Sequence, residues 1–576
     1  MPRARQIATC DCETDPFLHN RIGKPFVWGF YDGKTFRHFD STPDFVEFVR
    51  DKRITIYAHN GGKFDFMYLL SYVGETKAQI IGGRIVSMFL GEAELVDSYA
   101  AVPQSLGSIK KDEIEYWKME VEHRQTYMPE IIKYLEGDCV YLHELMTAYR
   151  LAAGTKKTIA SNALAHAKKL GIKPGTTNHR FDSNYRPFYF GGRTECFQKG
   201  THENISVVDI KSSYPNAMMH DHPTGSQMIR RSDFGDLDKD EIDRSFIVLE
   251  CYSHGAFPLR TEGSEGLHFP KGFAKFNVTG WEYNVAMELG LLKDVKIIEV
   301  RYCRETINFR DYVMHWYEFK NAHNKKTDPI NYTIGKIMMN SLYGKMAQNP
   351  EKYHDYKIVD PGTPLPCNTP HPDKFGVCKI CLFKEMDHGW TKYCEFEGRE
   401  FQRRESLWKY RYRHGIDWES KPLYKNVATG ASITGFARAH LLRAIHTIGE
   451  EHIIYCDTDS LVIGQFGDPS LLPQSDKIGD WELELDRVPV GHFCGKKLYA
   501  ITVDPSQKCG CETRNGGCKR HKVTTKGARL TYKEVEKIAA GETILYEPAA
   551  PSFSLARGIV FTDRLLRSTG NPAKLQ

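Results

Sequence analysis

Two aspartates interrupt an otherwise apolar stretch of the chain, Ile453–Ile463 (IIYCDTDSLVI). Short apolar runs on either side of a polar turn predict a β-hairpin with both acids at its tip. Because alternate residues of an extended strand share a face, Asp457 and Asp459 are predicted to point the same way. Two carboxylates between buried strands repel each other unless a cation lies beside them. The stretch therefore predicts a metal-binding hairpin.

A third carboxylate lies near the end of another apolar run. Val207–Ile210 predicts a buried strand that carries Asp209, and Pro329–Lys345 predicts a helix. Two metal ions about 3.5–4 Å apart can activate a hydroxyl and stabilise a departing phosphate group, and such a pair needs carboxylates at one point. Oxygen ligands of this kind suit Mg²⁺. The three aspartates are thus candidate ligands of a two-metal site.

Composition bounds the class of protein. The chain has 576 residues, 41% of them hydrophobic and 26% charged, which predicts a globular protein of three to five modules. A net charge of +5 permits nucleic-acid binding without requiring it. No apolar run is long enough to span a membrane and no secretory signal is visible, so a cytoplasmic location is expected. The 15 cysteines are then expected to be reduced thiols or metal ligands.

The first 150 residues or so alternate between strand and helix patterns, which predicts a mixed α/β module. The predicted elements include the strands Ile7–Cys12 and Arg53–Ala58 and the helix Met128–Tyr149. A connector rich in Gly, Pro and Thr precedes a predicted boundary near residue 185. Residues 349–422 are too many for a plain loop in a compact core, so they predict a functional insertion.

The first module carries a second set of acids. Asp11 and Glu13 alternate on one predicted strand, Asp65 follows a glycine-rich turn, and Tyr134 precedes Asp138 by one helical turn. Four carboxylates and a phenol can hold two metal ions and orient a water on a phosphodiester. This module therefore predicts a metal-dependent hydrolytic site of its own.

Three segments resemble the polymerase motifs of family B DNA polymerases, in the order typical of that family. They are Asp209–Pro215 (DIKSSYP) for the first motif, Lys336–Lys345 (KIMMNSLYGK) for the second and Tyr455–Ser460 (YCDTDS) for the third. The resemblance implies that Asp209 and Asp459 bind the metals directly, that the Ile210 carbonyl is a further ligand, and that Asp457 lies beside them.

The same resemblance implies contacts with the incoming nucleotide. Tyr214 would stack under the sugar and leave no room for a 2′-hydroxyl, and Tyr343 would stack near the nascent base pair. Lys336 would reach the triphosphate, and Asn340 lies on the same helix face. Lys320 is a second candidate for triphosphate contact; the alternative is a solvated helix lysine.

Two further segments resemble DNA-binding motifs of the family. Tyr189, Gly191 and Gly192 belong to a Tyr-x-Gly-Gly linker motif, in which glycine lets the backbone approach template phosphates closely. Lys497 and Tyr499 belong to a Lys-x-Tyr motif that contacts the primer end.

The first module resembles the 3′→5′ exonuclease of proofreading polymerases. Its three motifs imply that Asp11, Glu13, Asp65 and Asp138 bind metal, that Tyr134 positions the water, and that Asn60 and Phe64 contact DNA. Lys111 would lie near the scissile phosphate; the alternative is a charged surface turn. Cys12 replaces the usual apolar or aromatic residue between the first two acids, and alternation turns it toward the core as a small hydrophobe.

The resemblance implies an α/β and α+β multidomain fold, with an RNase H-like exonuclease domain followed by a right-hand polymerase domain. The predicted segments are the exonuclease domain (1–185), the first part of the palm (186–221), a first protein-priming insertion with palm (222–306), the fingers (307–348), a second insertion for strand displacement (349–422), the second part of the palm (423–500) and the thumb (501–576).

Motif spacing and length resemble the protein-primed group of family B, closest to its tectivirus-like phage branch. This implies a monomer that binds primer-template DNA, deoxynucleoside triphosphates and a terminal protein primer, with two Mg²⁺ or Mn²⁺ ions in each active site. The alternative is a nucleic-acid-primed family B enzyme. A nuclease with an inactive polymerase half would lack one of the three polymerase aspartates, and all three are present.

Two cysteine groups are candidate structural zinc sites. The first is Cys367, Cys378, Cys381 and Cys394, of which the middle pair has zinc-knuckle spacing. The second is Cys509, Cys511, Cys518 and His521, with less regular spacing. The alternative for both groups is free thiols in a reducing compartment.

Overall fold

The structure is a computed structural model that describes residues 5–74, 76–109, 114–175, 177–260, 266–349, 353–359, 383–385, 391–395, 400–405, 411–414, 425–509, 518–525, 527–554 and 558–568. Within these ranges no helix is long and apolar enough to cross a membrane. The ten cysteines whose side chains are described are free thiols.

A mixed sheet forms the centre of the first module. Its strands are β1 (Gln6–Thr14), β2 (Pro25–Tyr31), β3 (Phe36–Phe39), β4 (Ile54–Ala58), β5 (Thr76–Ile81), β6 (Arg84–Leu90) and β7 (Ala93–Asp97). They lie in the order β5-β6-β7-β4-β1-β2-β3, and β4 runs parallel to both β1 and β7. The predicted strands Ile7–Cys12 and Arg53–Ala58 correspond to β1 and β4.

Helices cover this sheet and continue toward the second half of the chain. They are α1 (Thr42–Arg50), α2 (Asp65–Leu69), α3 (Arg124–Ala152), α4 (Ile159–Lys169) and α5 (His179–Tyr185). Helix α3 extends beyond the predicted Met128–Tyr149 at both ends. It packs on β1 and β2, and the Thr9 hydroxyl donates a hydrogen bond of 2.7 Å to the Cys139 carbonyl. This contact fixes the position of α3 along β1, next to the end of the strand that carries the acids.

A second, antiparallel sheet lies within residues 222–306. The strands between residues 194 and 307 are β8 (Thr194–Cys196), β9 (Gly200–Ile210), β10 (His222–Pro223), β11 (Met228–Arg231), β12 (Ser245–His254), β13 (Lys271–Thr279), β14 (Leu292–Cys303) and β15 (Thr306–Ile307). The helices are α6 (Ser213–Met218), α7 (Lys239–Asp243) and α8 (Gly280–Glu288). Four strands pair in the order β11-β14-β12-β13 and enclose an apolar core against α8.

Two helices follow that sheet and pack on each other, α9 (Arg310–Asn321) and α10 (Pro329–Met346). Helix α10 confirms the predicted helix Pro329–Lys345. It begins where the Asp328 side chain accepts a hydrogen bond from the Asn331 N–H and where Pro329 fits the first turn. Both helices share a core with α3 and α4, which includes Tyr149, Trp316 and Met338.

Within residues 349–422 the structure describes five strands. They are β16 (Tyr353–Val359), β17 (Phe383–Glu385), β18 (Thr391–Glu395), β19 (Glu400–Glu405) and β20 (Arg411–His414). Strand β16 pairs with β5, so β16, β20 and β17 extend the sheet of the first module to ten strands. This stretch therefore contains secondary structure, and its predicted role as a functional insertion stays a prediction.

The remaining elements complete the fold. They are α11 (Val427–Ile448), β21 (Ile453–Asp457), β22 (Ser460–Ile463), β23 (Trp481–Gly495), β24 (Leu498–Thr502), β25 (His521–Thr525), α12 (Tyr532–Ala539), β26 (Ile544–Tyr546), β27 (Ser552–Ser554) and β28 (Gly558–Leu566). Strand β28 pairs with β19, and both Phe553 and Ile559 join the core of the first module. Residues of the predicted thumb thus pack on the predicted exonuclease domain.

The seven-stranded sheet that carries the polymerase aspartates has the order β25-β24-β23-β9-β22-β21-β8. The predicted strand Val207–Ile210 is the buried end of β9, and the predicted hairpin is β21–β22. Helix α11 covers one face of this sheet through an apolar core that includes Leu441, Ile445 and Trp481. Packing on this face holds the acidic ends of β9 and β21 in fixed register.

Candidate active sites

The register of three adjacent strands brings the polymerase aspartates together. Strand β9 pairs with β22 so that Asp209 lies opposite Ser460, and β22 pairs with β21 so that Ser460 lies opposite Asp457. Asp209 and the tip of the hairpin therefore lie at the same edge of the sheet. This confirms the predicted hairpin with its acids at the tip.

The backbone of the tip explains how Asp459 joins them. Thr458 has a φ of 64°, and its N–H donates a hydrogen bond of 2.6 Å to the Arg193 carbonyl. The Asp459 carbonyl accepts a 2.7 Å hydrogen bond from the Ile210 N–H. Asp459 thus lies in a two-residue turn outside either strand. The prediction that strand alternation aligns Asp457 with Asp459 was wrong, because the turn brings them together.

The electrostatics of the edge suit a divalent cation. Burial, then repulsion from Asp459, raises the pKa of Asp209 to about 7. Burial, then repulsion from Asp457, raises the pKa of Asp459 to about 6. Half-buried carboxylates that repel one another form a hard oxygen donor set, which fits Mg²⁺ or Mn²⁺. The residues present thus fit the metal pair that the sequence predicts.

Three side chains donate hydrogen bonds to Asp457 in this site. Its carboxylate accepts from Lys497 Nζ at 2.9 and 3.1 Å, from the Thr194 hydroxyl at 2.9 Å and from the Thr458 hydroxyl at 3.4 Å. The Lys497 N–H donates to the Tyr455 hydroxyl at 3.0 Å, and the Tyr455 ring contacts the Tyr499 ring. The predicted primer-end motif therefore lies directly beside the polymerase aspartates. The sequence analysis missed Thr194, although it begins the strand that pairs with β21.

The Tyr-x-Gly-Gly segment touches the same hairpin. A Cβ atom added at Gly192 would lie 2.6 Å from the Thr458 Oγ1, whereas one at Gly191 would meet open space. Buried Arg438 donates hydrogen bonds to the Phe190 and Gly191 carbonyls at 2.7 and 2.9 Å. Gly192 thus permits contact with the hairpin, and Gly191 leaves the outer side of the segment open.

Arg438 is held by a buried ion pair that the sequence analysis missed. Its Nε lies 2.8 Å from Glu282 Oε1, and both side chains are only 2% exposed. Glu282 also accepts from the Thr279 N–H and hydroxyl, in a capping box that begins α8. The Thr-x-x-Glu spacing could have revealed the cap. Nothing local indicates the partner on α11.

Two rings and two lysines line the neighbouring surface of α6, α9 and α10. Tyr214 stacks on Tyr343 with centroids 4.0 Å apart and planes 13° apart. Burial, then repulsion from Lys336, lowers the pKa of Lys320. Asn340 donates to the Lys336 carbonyl at 2.8 Å, so its amide is engaged within α10. The structure therefore groups Tyr214 with Tyr343 and Lys320 with Lys336.

The first module gathers three of its four predicted acids. Carboxylate oxygens of Asp11 and Glu13 on β1 and of Asp138 on α3 all lie within 4.8 Å of one another. Tyr134 is buried one turn before Asp138, and burial, then Asp138, raises its pKa. Cys12 points into the core, as predicted. The three carboxylates form an oxygen donor set that fits a divalent cation.

Asp65 lies beside this trio. Its Oδ1 accepts a hydrogen bond from the Cys12 N–H at 3.2 Å, and burial raises its pKa to about 6. Repulsion from Asp97 contributes to that shift. Asp97 is itself buried and ion-paired with Arg84. The sequence analysis missed Asp97, although an acid at the end of an apolar strand is the signal it used for Asp209.

Asn60 and Phe64, two predicted DNA contacts of this module, lie on either side of a glycine-containing turn. Asn60 adopts a φ of 64° and precedes the Gly61–Lys63 turn. The Phe64 ring packs edge-on against Phe17, Tyr68 and Phe553. Lys111 lies outside the described residues.

Three residues of the second predicted zinc group come together. One ligand atom each of Cys509, Cys518 and His521 lies within 4.8 Å of the other two. Cys511 lies outside the described residues. In the first group Cys367, Cys378 and Cys381 also lie outside them, and Cys394 is described only as part of the backbone of β18.

Comparison with known proteins decides the family. The chain is 33% identical to the DNA-directed DNA polymerase of Enterobacteria phage PRD1 over 598 aligned residues, which cover 98% of both chains. This chain belongs to the type B DNA polymerases. The family described as DNA polymerase type B, organellar and viral, matches residues 108–364. The DNA polymerase of Bacillus phage Nf is 22% identical over 84% of this chain and 84% of its own.

A solved structure shows the same fold over the whole length. Phi29 DNA polymerase in complex with primer-template DNA and incoming nucleotide aligns with a TM-score of 0.69 and 18% identity, over 98% of this type B polymerase and 100% of that chain. The predicted multidomain fold is thereby confirmed. The predicted resemblance to family B polymerases of small phages is confirmed as well.

Proposed function

We propose that this type B polymerase synthesises DNA on a template strand and removes mispaired 3′ ends at a second site. Each site would use two Mg²⁺ or Mn²⁺ ions. The relatives named above are DNA polymerases of phages, and the donor sets at both sites consist of carboxylates. One observation carries the proposal: β9 and the β21–β22 hairpin place Asp209, Asp457 and Asp459 at one edge of a buried sheet.

At the polymerase site, Asp209 and Asp459 would hold the metal pair with the Ile210 carbonyl, and Asp457 would orient it. Bound metal would activate the primer hydroxyl and stabilise the leaving pyrophosphate. Lys320 and Lys336 would bind the triphosphate as adjacent cations, and their mutual repulsion supports an anionic occupant.

The rings of Tyr214 and Tyr343 would select and stack the nucleotide. Their stacking at 4.0 Å forms a continuous aromatic surface on which a sugar and base could pack. A 2′-hydroxyl would meet the Tyr214 ring, which supports preference for deoxynucleotides. Lys497 and Tyr499 would hold the primer end beside Asp457.

At the exonuclease site, Asp11, Glu13 and Asp138 would bind metal together, with Asp65 next to them. Tyr134 would orient the attacking water. Burial of the phenol keeps its proton in place, so it can donate a hydrogen bond at neutral pH. Asn60, Phe64 and Lys111 would contact the DNA end.

We further infer protein-primed initiation on a terminal protein, with strand displacement. The likeness to the PRD1 polymerase over 98% of both chains supports this subgroup. A four-stranded sheet lies between the first two polymerase motifs, and further strands lie within residues 349–422. These two segments would be the two insertions. The nucleic-acid-primed enzyme is the alternative.

The division into two sites is tested by isosteric substitution. Asp457→Asn should lower primer extension by about a thousandfold, because several kcal/mol of metal-dependent stabilisation is lost, and should leave exonuclease activity unchanged. Asp11→Asn should give the reverse. Asp233→Asn, on the exposed surface, is the matched control. Loss of both activities in both variants, with melting temperature unchanged, would refute the division.

Protein priming needs its own assay. Incubation with radiolabelled deoxynucleotide, a genome end and candidate partner proteins should label one partner on a hydroxyl. Asp457→Asn should abolish the label. If the enzyme extends oligonucleotides but labels none of the candidate partner proteins, the nucleic-acid-primed alternative would be favoured.

A further inference from the structure

Cys509, Cys518 and His521 meet at the end of the hairpin formed by β24 and β25. The Cys509 sulfur lies 3.4 Å and the Cys518 sulfur 3.7 Å from the same atom, His521 Nδ1. Two zinc ligands, a thiolate and an imidazole, lie about 3.6 Å apart around a tetrahedral ion with ordinary Zn–S and Zn–N bond lengths. Both observed separations match that value.

Hydrogen bonding explains this arrangement less well than a shared cation does. A neutral imidazole offers one acceptor nitrogen with a single lone pair, so Nδ1 can accept from only one thiol. Thiols are also weak donors. Both sulfurs nevertheless lie within reach of that atom. One metal ion could bind all three ligand atoms at once.

The surroundings orient the imidazole as a metal-binding ring requires. His521 stacks on Tyr532 with centroids 3.8 Å apart and planes 19° apart. The Tyr532 hydroxyl lies 2.9 Å from His492 Nε2 and 3.2 Å from the Thr502 hydroxyl, so the stacking partner is itself fixed.

An ion at this position would stabilise the end of the β24–β25 hairpin. Thr502 pairs with His521 at the last rung of the β24–β25 ladder, and Val503 N–H donates to the Arg520 carbonyl at 2.7 Å just beyond it. Cys509 lies in the connection between the strands and Cys518 packs against the core under α12. An ion joining them would close this connection. Strand β24 also carries Tyr499 of the predicted primer contact.

We propose that Cys509, Cys518 and His521 bind a structural Zn²⁺ ion that fastens the β24–β25 hairpin. The proposal is independent of the nucleotidyl-transfer mechanism. Zinc has no redox chemistry, prefers sulfur and nitrogen ligands, and contributes folding energy where it is bound.

The test measures zinc in the full-length protein purified without chelator and with reductant. The wild type should contain about one zinc ion more per chain than Cys509→Ser, whose substitution removes an exposed ligand and no core packing. Cys196→Ser, a half-buried cysteine outside the group, is the matched control and should keep the wild-type zinc content. Any zinc bound by residues 349–422 contributes equally to all variants, so it drops out of the difference in zinc content between them.

A second readout keeps the test valid if a variant folds poorly. Without Mg²⁺, EDTA should lower the melting temperature of the wild type and of Cys196→Ser, and should lower that of Cys509→Ser less. Equal zinc content in the wild type and Cys509→Ser would overturn the proposal. A disulfide between Cys509 and Cys518 in the reductant-purified protein would overturn it as well.

Discussion

In the first module, Asp11, Glu13 and Asp138 project from one strand and one helix and converge to within 4.8 Å. In the seven-stranded sheet, Asp457 instead pairs with Lys497, a residue of the predicted primer contact. The first arrangement depends on packing of α3 against β1. The second depends on a turn and on a neighbouring cation. The acids of the first module are therefore held together by packing, whereas Asp457 is held by a side chain of the predicted primer contact.

After substitution of the acids themselves, the largest expected effect comes from replacing the glycines that let the backbone approach each site. A Cβ atom at Gly62 would lie 1.9 Å from the Ile85 carbonyl oxygen and 2.8 Å from Asp97, and one at Gly192 would lie 2.6 Å from Thr458. Gly62→Ala should lower exonuclease activity, and Gly192→Ala should lower extension, each by about a hundredfold through misplacement of the acids. Steady-state assays of both activities measure this.

Gly74→Ala is the control for both, since a Cβ atom there meets open space. If Gly192→Ala reduced exonuclease activity as strongly as extension, the two sites would not be mechanically separate. The contrast between the two sites drawn above would then be wrong.

A smaller effect is expected from the ring under the sugar. Tyr214→Val removes the ring that stacks on Tyr343, so discrimination against ribonucleotides should fall by roughly tenfold to a hundredfold. The ratio of kcat/KM values for deoxy- and ribonucleotides is the measurement. Exonuclease activity serves as the internal control and should not change. Unaltered discrimination in a folded variant would remove Tyr214 from the nucleotide site.

The smallest effect tests the coupling of Asp457 to Lys497. This pair is partly exposed, with the lysine side chain 56% accessible, so it contributes at most about 1 kcal/mol. Lys497→Met should therefore raise Mn²⁺ affinity at the polymerase site by up to about fivefold and leave the exonuclease site unchanged. Titration followed by electron paramagnetic resonance reports both. A decrease in Mn²⁺ affinity would contradict the coupling.

Much of the two sites follows from local patterns. Apolar runs that end in acids predicted β9 and the β21–β22 hairpin, and alternation placed Asp11 and Glu13 on one face of β1. These predictions succeed because a buried strand limits which way each side chain points. The alternation argument failed at Asp459, because the turn at Thr458 leaves the strand before that residue.

Contacts between distant segments could not be predicted in this way. Arg438 meets Glu282 across 156 residues, and Phe553 joins a core built from the first 100 residues or so. Each residue is unremarkable within its own helix or strand. Their pairing follows from how whole elements pack, which local periodicity does not specify.

The central claim is that each module holds its own pair of divalent ions. Equilibrium Mn²⁺ binding, measured by electron paramagnetic resonance on wild type, Asp459→Asn and Asp138→Asn, tests it most directly. The account predicts that Asp459→Asn loses ions only from the polymerase site and Asp138→Asn only from the exonuclease site. Unchanged stoichiometry in both variants, or loss from both sites in either folded variant, would contradict it.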